Sequence, residues 1–218
     1  MIYVLFDTSV TEEERQAVVR AVEDTRPLFP GFGMETVAPG KTAEEEKIRK
    51  NMDSYIEGTQ TENGRYDALI VLRRLESLAE RRKDAEAVLL FTGRDLCLSS
   101  QGISWCFGAG RVKAHTAVCS VIRYRKLTEQ ERLRCIRRTM RHEIGHILGL
   151  AADSGRKNTE EHSGPHCTAP GCSMRQAGTL EKLLAFSLEE DRQGWCFCPD
   201  CLAELEAARK RLTGKRRD

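Results

Sequence analysis

Short apolar runs alternate along this chain with longer segments whose apolar residues recur every three or four positions. That alternation predicts strands interleaved with amphipathic helices in the order βαβαββα, which suits a mixed sheet packed on helices. Residues 2–6 (Ile-Tyr-Val-Leu-Phe) read as a short buried strand. Thr8 or Ser9 leads into Thr11-Glu12-Glu13-Glu14-Arg15, an acid-rich helix start followed by Val18, Val19, Ala21 and Val22, and that helix stops before Pro27 and Pro30. A second strand is expected over residues 31–37, with Pro39-Gly40 as the turn after it. Residues 41–64 are charge-rich and read as a surface helix or excursion ending in the turn signal Glu62-Asn63-Gly64. From Tyr66 to about Lys83 one helical face carries Leu69, Ile70, Leu72, Leu75 and Leu78. Residues 85–91 fit an interior strand, residues 93–110 a glycine-rich loop or hairpin, and residues 117–124 a further strand.

The strongest helical pattern comes next. Thr128 and Glu131 form a capping box, and the helix runs through Ile136 and Met140 to a stop near Gly149. Its last turns read His142-Glu143-Ile144-Gly145-His146-Ile147-Leu148-Gly149, the pattern H-E-x-x-H-x-x-G. Residues four apart share a helix face, so His142 and His146 aim their imidazoles at one point. That suits Zn²⁺, which takes nitrogen ligands at about 2.0–2.1 Å. Glu143, beside the first ligand, can accept a proton from a water on the metal. The alternative, a plain buried helix, leaves three polar side chains without partners among Ile144, Ile147, Leu148 and Leu150, which is costly.

A catalytic zinc also wants a third protein ligand and an open position. In the metzincin spacing a histidine would stand three residues after Gly149, but that residue is Ala152. The polar stretch 153–161 then looks like an inserted loop, followed by His162 and His166. Asp153 is a further rival, since zinc accepts carboxylate oxygen.

Composition narrows the class. Apolar residues make up 40% of the 218 and charged residues 31%, the profile of a soluble globular protein. A formal net charge of +2 gives no general pull towards nucleic acid or acidic membranes. The one basic cluster, residues 209–217, reads as a solvated tail. No apolar run reaches the roughly 18–20 residues a bilayer requires. The N-terminus lacks the features of a secretory signal, so a cytoplasmic location is expected. There the nine cysteines would be mostly reduced, and clustered thiols point to metal rather than to disulfides.

Four cysteines fall into two pairs, Cys167 with Cys172 and Cys198 with Cys201, the latter opening a helix with Leu202, Leu205 and Ala208. Two such pairs can build a closed tetrahedral S₄ cage whose bound thiolates contribute folding energy. The alternative is four buried thiols in a reduced core. The run His166-Cys167, then Cys172 and Met174, after H-E-x-x-H-x-x-G-L and before Phe197-Cys198-Pro199-Asp200-Cys201, resembles the archaemetzincins. The resemblance covers about residues 95–205, with weaker echoes at Asp95, at Phe107-Gly108 and in the strand 118–124. The N-terminal half matches only in its pattern.

The resemblance implies an α+β, metzincin-like fold: a mixed twisted sheet on helices that include the zinc-binding helix, and a C-terminal Cys₄ zinc subdomain. Residues 1–150 would form the N-terminal part, with the active-site helix at about 127–150, and residues 151–218 the C-terminal part. It makes His142, His146 and His166 the ligands of a catalytic Zn²⁺, Glu143 the general base and Met174 the turn beneath the metal. Cys167, Cys172, Cys198 and Cys201 would hold a structural Zn²⁺, giving two ions per chain. The strand 118–124 would be the edge strand lining the cleft.

The chain departs from the family in two places. Residues 152–165 are an insertion before His166, a candidate lid, and they keep His162 and Asp153 as rivals for the third ligand. The adjacent Cys167 favours His166 by tying it to the second metal. The spacer from Met174 to Cys198 also exceeds the family's, and Cys196 is a substitute ligand or a spare. Cys97, Cys106, Cys119 and Cys135 have no partners at metal spacing and read as core; His115 reads as a surface histidine.

These readings converge on a zinc metallopeptidase that hydrolyses peptide bonds with a zinc-activated water and Glu143 as general acid/base. An extended peptide substrate would pair with the edge strand. The expected partners are a peptide or protein substrate, with no nucleic acid and no membrane, and the chain is expected to be a monomer. The alternative is a catalytically inactive, zinc-stabilised binding protein, motivated by the displaced third histidine; the intact Glu143 argues against it. A nucleic-acid-binding zinc protein suits the cysteines and the basic tail but not the near-neutral charge.

Overall fold

A five-stranded sheet forms the centre of the computed structural model, which describes residues 1–36, 51–81, 85–111, 114–152, 155–161 and 164–214. Its strands are β1 (Ile2–Phe6), β2 (Met34–Thr36), β4 (Ala87–Thr92), β7 (Gly108–Arg111) and β8 (Thr116–Ser120), in the order β2-β1-β4-β8-β7. The first four in that order run parallel and β7 runs antiparallel. A smaller sheet joins β3 (Tyr66–Asp67) to the hairpin of β5 (Leu96–Leu98) and β6 (Ile103–Cys106).

Both faces of the central sheet are covered, which is why its strands read as continuous apolar runs. Ile2, Val4, Phe6, Leu89, Phe91, Ala117 and Cys119 face one side. There they meet α1 (Glu12–Thr25) and α4 (Glu129–Leu148) through Val18, Ala21, Ile136, Met140 and Ile144. Tyr3, Leu5, Val88, Leu90 and Val118 face the other side. They pack on α2 (residues 51–56 as described) and α3 (Ala68–Arg81) through Met52, Ile56, Val71, Leu72 and Leu75. The helix starts follow their caps: Thr11 with Glu14 and Thr128 with Glu131 both form complete capping boxes. Beyond α4 come a hairpin of β9 (Thr159–Glu161) and β10 (Pro165–Cys167), then α5 (Leu180–Gln193) and α6 (Pro199–Gly214). The larger apolar core is continuous from β1 and α1 to Cys172, Cys201 and Ala208, across the junction at residue 150. Among the described residues no helix is long and apolar enough to cross a membrane.

The fold corrects several expectations. The strand expected over 117–124 ends at Ser120, and residues 122–124 form a 3₁₀ turn that buries Tyr124. More consequentially, β8 is hydrogen-bonded on both sides, to β4 and β7, so it is interior; the edge strand is β7. On α3 the buried face is Ala68, Val71, Leu72 and Leu75, while Ile70 is 39% exposed. Leu69 and Leu78 also pack against that core, so Ile70 alone falls off the expected face. Helix α5 fills the long spacer before Cys198. The turn at 39–40, residues 41–50, and the rival ligands Asp153 and His162 lie outside the described residues.

Candidate metal centres

Helix α4 ends where the sequence says it should. Gly149 adopts φ 82°, a left-handed conformation natural to glycine, and its N–H closes on the carbonyls of Gly145 and His146. Ala151, also left-handed at φ 62°, turns the chain away. The β9–β10 hairpin then brings His166 back to the last turns of the helix. Nε2 of His146 lies 3.0 Å from Nε2 of His142 and 3.3 Å from Nε2 of His166.

These separations suit a metal. Three nitrogens bound at about 2.0–2.1 Å with tetrahedral angles stand about 3.3 Å apart. The tautomers suit it too. His142 Nδ1 donates to Ser173 O at 2.8 Å and His166 Nδ1 to Gly164 O at 2.8 Å, which leaves both Nε2 lone pairs facing the common point. Burial, reinforced by the neighbouring imidazoles, holds His142 well below the ordinary histidine range and His146 down at about 3. This keeps His142 and His146 in their ligating, neutral form.

The three rings and Glu143 line one cleft of about 460 Å³, walled by β6, β7 and residues 175–178. Burial pushes the Glu143 carboxyl up to about 8, and its Oε2 is buried with no hydrogen-bond partner. An orphaned carboxylate oxygen beside three converging imidazoles is what a proton acceptor for a bound water would look like. Two glycines of β7 make room for it. A Cβ on Gly108 would stand 2.6 Å from Glu143 Oε1, and one on Gly110 would stand 3.1 Å from Oε2. The alternation Gly108-Ala109-Gly110 was the available sequence signal for this close approach, but it reads equally as loop.

A buried ionic network holds the histidine face from behind. Glu190 of α5 pairs with Arg138 and with Arg141 of α4, and accepts from Ser173 Oγ at 2.8 Å. Arg138 also donates to Cys172 O and Arg175 O. This fixes the segment whose Ser173 carbonyl orients His142. Met174, fully buried, presses on Gly145 so closely that any side chain there would overlap its sulfur. Glycine at that position of the motif is therefore a packing requirement.

The four paired cysteines also come together. Cys167 Sγ lies 3.7 Å from Cys198 Sγ, and Cys172 Sγ lies 3.6 Å from Cys201 Sγ. These distances are far too long for disulfides, at about 2.05 Å, and close to the roughly 3.8 Å between sulfurs bound tetrahedrally at about 2.3 Å. All four are buried and all four ligand atoms lie within 4.8 Å of one another, as do those of the three histidines. Cys196 stays out of the cluster; its carbonyl accepts from Ser173 N at 2.6 Å. Cys97, Cys119 and Cys135 are buried, Cys106 lies in the cleft wall, and His115 is exposed on the turn before β8. None of residues 155–161 lines the cleft, whereas Gly164 and Pro165 at the end of the insertion do.

No protein-family model matches the chain. It is 25% identical to an archaemetzincin of Pyrococcus furiosus over 142 residues, 61% of each chain. It is 28% identical to one of Methanopyrus kandleri over 137 residues, 63% of this chain and 65% of the relative. The matched region thus spans less than two thirds of these curated relatives. The fold agrees over nearly the whole length. The crystal structure of Methanopyrus kandleri archaemetzincin superposes with a TM-score of 0.66 at 20% identity, covering 96% of this chain and 94% of that one. A zinc-dependent peptidase from Methanocorpusculum labreanum gives 0.60 at 21% identity, covering 94% and 100%. Archaeoglobus fulgidus archaemetzincin, crystallised with malonate, gives 0.55 at 20% identity, covering 94% and 99%.

Proposed function

We propose that this chain, which resembles the archaemetzincins in sequence and in fold, is a zinc-dependent metallopeptidase. His142, His146 and His166 hold the catalytic Zn²⁺, Glu143 is the general acid/base, and Cys167, Cys172, Cys198 and Cys201 hold a structural Zn²⁺. The observation that carries this reading is the convergence of three imidazole Nε2 atoms in a cleft beside the orphaned Glu143 Oε2.

When bound, a catalytic zinc polarises the scissile carbonyl and makes a water acidic near neutral pH. Beside a cation the Glu143 carboxyl ionises below its metal-free value, so it can accept the water's proton and pass it to the leaving amine. Ser173 O and Gly164 O hold the His142 and His166 rings in the ligating tautomer. An extended peptide pairs with β7, the edge strand, rather than with β8. All seven ligands and the base come from one chain, so a monomer suffices.

The test is peptide hydrolysis by zinc-loaded wild type and Glu143→Gln. The variant should lose about 10²–10⁴-fold in kcat with its zinc content unchanged. Equal rates in the two proteins, or a wild type that cleaves no member of a mixed peptide library, would overturn the peptidase reading. The second outcome would favour the zinc-stabilised binding protein.

A further inference from the structure

The insertion before His166 reaches the cysteine cluster. Arg156 lies in it, its side chain only 9% exposed. Its Nη2 donates to Cys167 Sγ at 3.4 Å and to Cys198 Sγ at 3.8 Å, and its Nη1 to Cys201 Sγ at 3.5 Å. The same Nη1 donates to Glu204 Oε2 of α6 at 2.7 Å, and Nε donates to Asn158 Oδ1 at 3.1 Å. Glu204 Oε2 also accepts from Ala151 N at 2.7 Å, so Ala151 and Arg156 are fastened to one carboxylate.

A divalent ion bound by four thiolates carries a net charge of −2, and such a charge inside a protein is expensive unless a cation faces it. A planar guanidinium holds five donors in a rigid fork that can reach several sulfurs at once, whereas a lysine ammonium is a point charge with three rotatable donors. We propose that Arg156 is the counter-ion of the cysteine centre. It donates to three of the four sulfurs, neutralises part of their charge, slows release of the metal, and pins the loop that precedes the His166 hairpin. Arg156 is thus a clasp on the cysteine centre. Groups of this kind around a metal typically change affinity by about 10–100-fold.

The proposal rests on reading the four cysteines as a metal site, and the experiment separates the two. In a His166→Ala background, which removes one histidine ligand, zinc per chain and the rate of zinc transfer to a chromophoric chelator are measured for the parent, Arg156→Met, Arg156→Lys and Cys198→Ser. The expected result is about one zinc in the parent, tightly held zinc lost in Cys198→Ser, release at least about tenfold faster in Arg156→Met, and an intermediate rate in Arg156→Lys. Cobalt substitution gives a second readout that needs no exchange kinetics. Thiolates stripped of their hydrogen bonds are more electron-rich, so the sulfur-to-cobalt charge-transfer band should move to lower energy in Arg156→Met, and less so in Arg156→Lys. Release and band position equal to the parent's in both variants would overturn the counter-ion role while leaving the metal site standing. A parent without zinc that Cys198→Ser can abolish would overturn both.

Discussion

His166 and Cys167 are consecutive residues of one strand, yet they belong to clusters built on opposite lines. The histidine cluster has three imidazole donors, a cleft on one side, and a carboxylate oxygen left without a partner. The cysteine cluster has four donors, none of which lines that cleft, and a guanidinium and the Ala169 N–H close over its sulfurs. Successive side chains of a strand point to opposite faces, so one short hairpin can serve an open centre and a closed one. On the proposed reading, the difference separates a centre for chemistry from one for the fold. A closed four-sulfur site spends its coordination on the fold, while an open three-nitrogen site keeps a position for a reacting molecule.

The largest way to break this contrast is Cys201→Ser. Removing one ligand of the closed centre should release its metal and cost about 4–5 kcal/mol or more of stability, read by denaturant unfolding with and without chelator. A variant as stable as the wild type would show that the cysteines are ordinary core. A smaller effect is expected on the open side from Gly108→Ala. The added methyl pushes on Glu143 Oε1, which a Cβ there would approach to 2.6 Å. Since a misplacement of about 1 Å can cost about 100-fold, kcat should fall by about 10–100-fold while both metals stay bound. Unchanged kcat would mean the carboxylate works from another position.

The smallest effect, taken per pH unit, is a titration. In the metal-free protein the buried Glu143 carboxyl is raised from 4.5 to about 8. Between those values it is neutral when folded and ionised when unfolded. Its contribution to stability is therefore complete below about pH 4.5 and lost as pH rises through about 8, with a slope of up to about 1.4 kcal/mol per pH unit. Glu143→Gln has no such titration, and the histidines cancel in the comparison. Chelated wild type should lose stability relative to the variant across that window; parallel profiles would contradict the burial argument.

The two centres were also unequally legible in the sequence. His142 and His146 are four apart on a helix, and each cysteine pair sits within one turn or loop, so local geometry alone brings those residues together. The join between the pairs, and the third histidine, depend on the β9–β10 hairpin and on α5, which are set by long-range packing. The cleft wall failed for the same reason. Whether β7 or β8 is the edge depends on β8 pairing with β4 across the chain, and nothing in residues 117–124 announces it. The supports were hidden too: Arg138, Arg141 and Glu190 look like surface charges until α5 packs on α4 and buries all three.

The central claim is that one chain carries two metal centres of different kinds, with His166 as the third ligand of the open one. The most direct measurement is zinc per chain by elemental analysis on wild type and His166→Ala, with circular dichroism on both. The account predicts two zincs falling to one with the fold intact. Two zincs in both proteins would move the third ligand elsewhere, and one zinc in both would leave the histidine cluster without a metal and contradict the peptidase reading.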